Sequence, residues 1–177
     1  CPNSTMGGAA TVAQGAAYAD GPARLATAEP APGRMEFTRT ASGGLVLDDA
    51  YNANPASMRA ALTALAAVRV PGQRVAVLGE MLELGPHSAE EHARLGCAVA
   101  ETGVDALIAV GEEARPLADA ARERGVYDVV HVPDAAAALA EVVDRLGAAD
   151  VVLVKGSRAV GLELVVRGLG SDKETAP

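Results

Sequence analysis

Short apolar runs alternate with stretches of helical period along most of this chain, and that alternation limits the fold more than anything else. The runs are "LVLD" at Leu45–Asp48, "RVAVL" at Arg74–Leu78, "ALIAV" at Ala106–Val110, "VVHV" at Val129–Val132 and "VVLV" at Val151–Val154. They are nearly continuous in Val, Leu, Ile and Ala, as strands buried on both faces must be. The segments between them have the 3.6-residue period, clearest at Pro55–Val68, where Met58, Ala61, Leu62, Leu65 and Val68 form one stripe. Asn54 is placed to cap this helix and Pro55 suits its first turn. Further helices are predicted over Ser88–Gly103, opened by a capping box of Ser88 and Glu91, and over Glu112–Arg124, Asp134–Leu146 and Ser157–Leu169. Strand–helix alternation of this kind predicts an α/β fold: a Rossmann-like, doubly wound, mostly parallel sheet with helices on both faces. Before it, Met35–Thr40 and Leu45–Asp48 flank Ser42-Gly43-Gly44, and a short β-hairpin is expected there. The domain is expected over residues 34–170. Residues 1–33, with four prolines and many Ala and Gly, read as a linker or a remnant of something preceding, and 171–177 as a disordered tail.

Composition narrows the function. Only 2% of the residues are aromatic, so the core must be aliphatic, and the formal net charge is −8. A chain of that charge is not expected to hold nucleic acid or an anionic membrane by bulk electrostatics. No apolar run reaches membrane-spanning length, and no basic stretch leads into an apolar one at the amino terminus. Cys1 and Cys97 form no C-x-x-C pair and give no zinc pattern, so the expected setting is cytoplasmic. A first residue of Cys rather than Met is expected of a piece of a longer protein.

Ligands of open α/β sheets bind beyond the carboxyl ends of the strands, and three strand exits here are rich in polar groups. The first is "DDAYNAN", Asp48 to Asn54. Only one of Asp48 and Asp49 can serve as a turn or cap; the other needs a different partner or faces water. The second is "GEMLELGPHS", where Glu80 and Glu83 are either a carboxylate pair or a solvated loop. The third is "KGSR", where Lys155, Ser157 and Arg158 precede a predicted helix. Free N–H groups flanked by two cations suit a carboxylate or phosphate; the alternative is two solvated cations. His87 and His92 are five apart, a poor spacing for metal, and His92 is expected on a helix face packed under a loop. The chain has neither a G-x-x-x-x-G-K-[ST] loop nor G-x-G-x-x-G after a strand, so a nicotinamide enzyme is disfavoured and tight nucleotide binding by this chain alone is not expected.

Four motifs in order, "PGRMEF", "DDAYNANPASM", "VLGEMLELG" with "HSAEEH", and "VKGSR", resemble the Mur ligase family over roughly residues 30–169. Within it they resemble the branch that adds D-alanyl-D-alanine to UDP-N-acetylmuramoyl-tripeptide. Glu80 stands where that branch more often has Asp. Ligases of this family have a UDP-substrate domain, a central ATPase domain and a C-terminal Rossmann-like domain, and the resemblance is to the third. Asn3 and "GGAATVAQGAA" could be a remnant of the second, although its histidine is absent. The resemblance implies that ATP and Mg²⁺ serve the full-length enzyme, with the phosphate loop, catalytic lysine and metal ligands in the missing central domain. No catalytic residue and no metal ligand are then expected in this chain. Arg34, Asp48 and Asp49 would address the phosphates and ribose of ATP, with Tyr51, Asn52 and Asn54 shaping the turn and meeting nucleotide or hinge. Lys155, Ser157 and Arg158 would hold the carboxylate of the incoming dipeptide. The rival reading is a non-catalytic Rossmann-like binding or regulatory module.

Overall fold

A computed structural model describes residues 35–170. The expectations for residues 1–33, Arg34 and 171–177 fall outside them. Six strands form one sheet: β1 (Glu36–Arg39), β2 (Leu45–Asp49), β3 (Arg74–Gly79), β4 (Ala106–Val110), β5 (Asp128–Val132) and β6 (Val151–Lys155). Their order is β1-β2-β6-β3-β4-β5. The β1–β2 pair is the expected antiparallel hairpin, and every other pairing is parallel.

Five helices cover this sheet: α1 (Pro55–Ala67), α2 (Ser88–Glu101), α3 (Arg115–Glu123), α4 (Ala135–Val143) and α5 (Glu163–Leu169). Alternate strand residues feed two core layers. Leu47, Ala76, Leu78, Leu107, Ala109, Val151 and Leu153 pack with Met58, Leu62 and Leu65 of α1, Leu95 and Val99 of α2, and Leu117 of α3. Val46, Val75, Val77, Ile108, Val110, Val152 and Val154 point the other way, to Ala138 and Val142 of α4 and Val165 and Leu169 of α5. Burial of each Val, Leu, Ile or Met among them contributes about 1.5–3 kcal/mol, which explains how a core with almost no aromatics holds. Without large rings to space them, the helices lie close: a Cβ on Gly96 of α2 would stand 2.4 Å from the Leu117 carbonyl oxygen of α3.

Three boundaries differ from the sequence expectation. Ser88 does not cap α2; the tight turn Gly85–His87 runs straight into the helix, His87 occupies the cap position without a side-chain hydrogen bond, and the Ser88 hydroxyl donates to Glu113 Oε2 at 2.6 Å. A 3₁₀ turn, Glu112–Ala114, precedes α3. The segment after "KGS" is also a 3₁₀ turn, Arg158–Val160, closed by Gly161 in the left-handed region (φ 73°), so α5 begins only at Glu163. The two caps read from the sequence do form: Asn54 accepts from the Ser57 N–H at 2.9 Å and Asp134 from the Ala137 N–H at 2.9 Å.

Candidate functional site

Strand β6 lies between β2 and β3, yet the helices that follow β2 and β3 cover one face and the helix that follows β6 covers the other. The chain therefore diverges on either side of the β6 carboxyl end, which is where a crevice opens in this kind of sheet. All three polar strand exits meet at this point.

The β2–α1 turn answers the question raised by its paired aspartates. Neighbouring strand residues face opposite sides of a sheet. Asp48 Oδ1 accepts the Ala50 N–H at 3.0 Å and so closes the turn. Partial burial pushes the Asp48 carboxyl above its ordinary range, against the lowering effect of the Ala50 N–H, and the charges of Glu36, Asp49 and Glu163 push the same way as burial. Asp49 faces the α1 side, in register with Lys155 of β6. Its Oδ2 lies 2.7 Å from Lys155 Nζ, and the same ammonium donates to the Asn52 carbonyl at 2.7 Å. Lys155 is 2% exposed and Asp49 14%. Lys155 is thus not the free cation expected at this exit. It is buried under the β2–α1 turn and fastens it to the centre of the sheet. Above that post, Asn52 Oδ1 accepts the Ala53 N–H at 2.8 Å and Asn54 caps α1, while the Tyr51 ring is exposed.

Beyond Lys155, Ser157 and Arg158 diverge. Ser157 is buried and stitched to the β3 exit: its N–H donates to the Glu80 carbonyl at 3.0 Å, and its hydroxyl oxygen accepts the Leu82 N–H at 2.9 Å. Arg158 is exposed, with its guanidinium 5.3 Å from the centre of the Tyr51 ring. It makes no ion pair among the described residues. Since α5 starts at Glu163, the expected α-helix N-terminus directly behind "KGSR" is absent, and of the motif's two cations only Arg158 is exposed.

Glu80 and Glu83, read as a pair or a solvated loop, part ways. Glu80 Oε1 accepts the Glu113 N–H at 2.9 Å, and its side chain fills the space a Cβ on Gly111 (φ 100°) would need. Glu83 is exposed and takes a left-handed φ of 66°. Beside them a cleft of about 240 Å³ is lined by Glu80, Leu82, Gly111, Pro133, Asp134, Ala159 and Val160. Sequence reading did not find this cleft. Its walls come from the β3, β4, β5 and β6 exits, and those at β4 and β5 carry no unusual motif. Among the described residues no group of three or more His, Cys, Asp or Glu is arranged to hold a metal, and no helix is long and apolar enough to cross a membrane.

A family profile described as the Mur ligase glutamate ligase domain matches residues 33–158. The chain belongs to the Mur ligase family. Among Mur ligases it is similar to the UDP-N-acetylmuramoyl-tripeptide–D-alanyl-D-alanine ligase of Escherichia coli, 41% identical over 96 residues, which make up 54% of this chain and 21% of that enzyme. The ligase of the same name from Mycobacterium tuberculosis is 46% identical over 82 residues, 44% of this chain and 16% of the relative. The crystal structure of the Thermotoga maritima MurF ligase in complex with ADP superposes with a TM-score of 0.68 at 31% identity, over 82% of this chain and 32% of that one. The chain thus spans about a fifth of the E. coli ligase, and its fold is that of a MurF-type C-terminal domain.

Proposed function

We propose that this chain is the C-terminal domain of a cytoplasmic ATP-dependent ligase of peptidoglycan-precursor synthesis, which joins D-alanyl-D-alanine to UDP-N-acetylmuramoyl-tripeptide. The observation that carries the reading is that a polar turn and an exposed arginine, with no ion pair among the described residues, share one sheet edge, tied together by Lys155. Relatives named for this reaction support it, as does the ADP named with the Thermotoga relative.

The turn suits the nucleoside end of ATP. Tyr51 offers an exposed aromatic face, Asn52 and Asn54 offer carboxamides, and the carboxylates can accept hydrogen bonds from ribose hydroxyls. Phosphates fit this turn poorly, since Asp48 already stands among Glu36, Asp49 and Glu163. Asp49 is neutralised by Lys155 and is committed to holding the turn, so Asp48, with one oxygen left over, is the better ribose partner. Arg34, which lies outside the described residues, keeps the phosphate role that the resemblance gives it. Mg²⁺, the phosphate loop and the catalytic groups belong to the missing central domain, so the isolated chain is inactive and binds ATP weakly. In the full-length enzyme ATP would pass its γ-phosphoryl group to the tripeptide's terminal carboxylate and leave as ADP, and the dipeptide amine would then displace inorganic phosphate, losing a proton as the amide forms. This domain brings up the dipeptide and, on closing, excludes the water that would hydrolyse the activated carboxylate.

In this reading Arg158 clamps the dipeptide carboxylate with two parallel hydrogen bonds; the next two residues of the chain, Ala159 and Val160, line the 240 Å³ cleft. The Ser157 hydroxyl keeps its proton and can add a third. Lys155 takes no part in holding the dipeptide; it fastens the turn assigned to the nucleotide. Steady-state kinetics of a full-length ligase carrying this domain tests the assignment. A charged hydrogen bond contributes about 1.5–3 kcal/mol, so Arg158→Ala should raise the KM for D-alanyl-D-alanine roughly ten- to a hundredfold and leave the KM for ATP nearly unchanged. Equal effects on both substrates would make Arg158 a closure residue and refute the assignment.

A further inference from the structure

His92 lies under the β3 exit and is fully buried. Both ring nitrogens are engaged, and their partners settle which carries the proton. Nδ1 is 2.8 Å from the Ser88 carbonyl oxygen, which can only accept. Nε2 is 2.9 Å from the Met81 backbone nitrogen, which can only donate. The imidazole is therefore neutral, protonated on Nδ1, with its Nε2 lone pair turned to the Met81 N–H. That N–H sits in the core beside a Met81 side chain that is itself fully buried, so no water can replace the acceptor.

Met81 is flanked by the two residues that grip Ser157. The Glu80 carbonyl receives the Ser157 N–H, and the Leu82 N–H reaches the Ser157 hydroxyl. Glu80 is also tied to β4 and its exit, through its own N–H to the Val110 carbonyl at 3.2 Å and its carboxylate to the Glu113 N–H. Three consecutive residues, 80 to 82, are thus pinned from three sides, and His92 holds the middle one. We infer that His92 is a positioning residue for the carboxylate-binding end of the site: by accepting from Met81 it sets the 80–82 segment, and through it Ser157 and Arg158. This rests on the assignment of Arg158 to the dipeptide for its kinetic consequence, but not for its structural one.

The geometry separates two conservative replacements. A Gln carboxamide reaches as far along the side chain as Nε2 and keeps an acceptor for Met81; an Asn carboxamide reaches only as far as Nδ1 and does not. Amide hydrogen exchange on the 177-residue chain reads this directly. In His92→Asn and His92→Leu the Met81 and Leu82 amides should exchange about ten- to a hundredfold faster than in the parent, as expected for a buried donor without its acceptor. The amides of Val75 and Val77 in β3 should be unchanged, and His92→Gln should stay close to the parent. Should His92→Leu fail to fold, the Gln and Asn pair decides alone. Equal exchange in Gln and Asn variants, or protection lost across the whole sheet, would overturn the inference.

In a full-length ligase carrying this domain, His92→Asn should raise the KM for D-alanyl-D-alanine about tenfold, with the KM for ATP unchanged and His92→Gln restoring most of the loss. A normal dipeptide KM in His92→Asn, alongside a raised one in Arg158→Ala, overturns the inference and leaves the function standing. A normal dipeptide KM in Arg158→Ala overturns the carboxylate assignment instead, and the exchange measurement still decides the role of His92.

Discussion

Removing the buried Lys155 ammonium should cost this domain a large part of its stability. In Lys155→Met the side chain keeps most of its length and apolar stem, so the change isolates the ammonium. Two bonds disappear, one to Asp49 and one to the Asn52 carbonyl, each 2.7 Å long. Asp49 is left 14% exposed, with its positive partner gone. Removing one partner of a buried pair costs about 3–5 kcal/mol, because the remaining charge stays desolvated. Against a typical domain stability of about 5–15 kcal/mol and a urea slope of about 2 kcal/mol/M, the midpoint should fall by about 1.5–2.5 M. The companion variant Asp49→Asn/Lys155→Met removes the stranded charge as well and should recover a large part of the loss. Urea denaturation of the parent, Asp49→Asn, Lys155→Met and the double variant, followed by far-ultraviolet circular dichroism, supplies the cycle. The turn it fastens is the one proposed to face the nucleotide, so in a full-length ligase Lys155→Met should raise the KM for ATP more than that for the dipeptide. A midpoint loss below about 0.5 M, or a double variant no better than the single, would refute the argument that a buried ion pair holds this turn.

Asp48→Asn keeps an acceptor for the Ala50 N–H but cannot ionise. Because the Asp48 carboxyl is raised above 3.8 in the folded chain, the folded state binds its proton more tightly than the unfolded one. Stability is lost as pH rises through that raised value. The variant should therefore be the more stable form at pH 7, with the difference vanishing below about pH 3.8 in a series of urea midpoints, while its KM for ATP rises if Asp48 meets the ribose. Gly96→Ala drives a methyl into the Leu117 carbonyl at the α2–α3 contact and should lower stability by about 1–3 kcal/mol in the same denaturation assay; a neutral result would mean the two helices separate freely.

Much of this architecture is legible in the sequence because its causes are local. Strand segments follow from continuous apolar runs, helices from period, and the starts of α1 and α4 from Asn54 and Asp134 acting on their own next turn. Where local signals compete, the reading slips. Ser88 carries a capping-box pattern, but its hydroxyl is taken by Glu113, and the turn before it extends the helical path. Likewise Gly161 ends a tight turn inside what the apolar spacing presents as one helix.

The candidate site divides along the same line. Composition and spacing alone identify which strand exits are chemically loaded, that only one of the two aspartates can turn the chain while the other needs a partner or faces water, and that "KGSR" sets two cations beside a strand exit. They do not say that the partner of Asp49 is Lys155, or that Ser157 is held by Glu80 and Leu82. Those contacts depend on β6 entering the sheet between β2 and β3, and Lys155 meets Asn52 across 103 residues of chain. Strand order is set by how all the helices share the two faces of the sheet, a property of the packed whole that no local run of residues carries. Only that order turns one cation into a buried post and leaves the other, Arg158, exposed at the sheet edge.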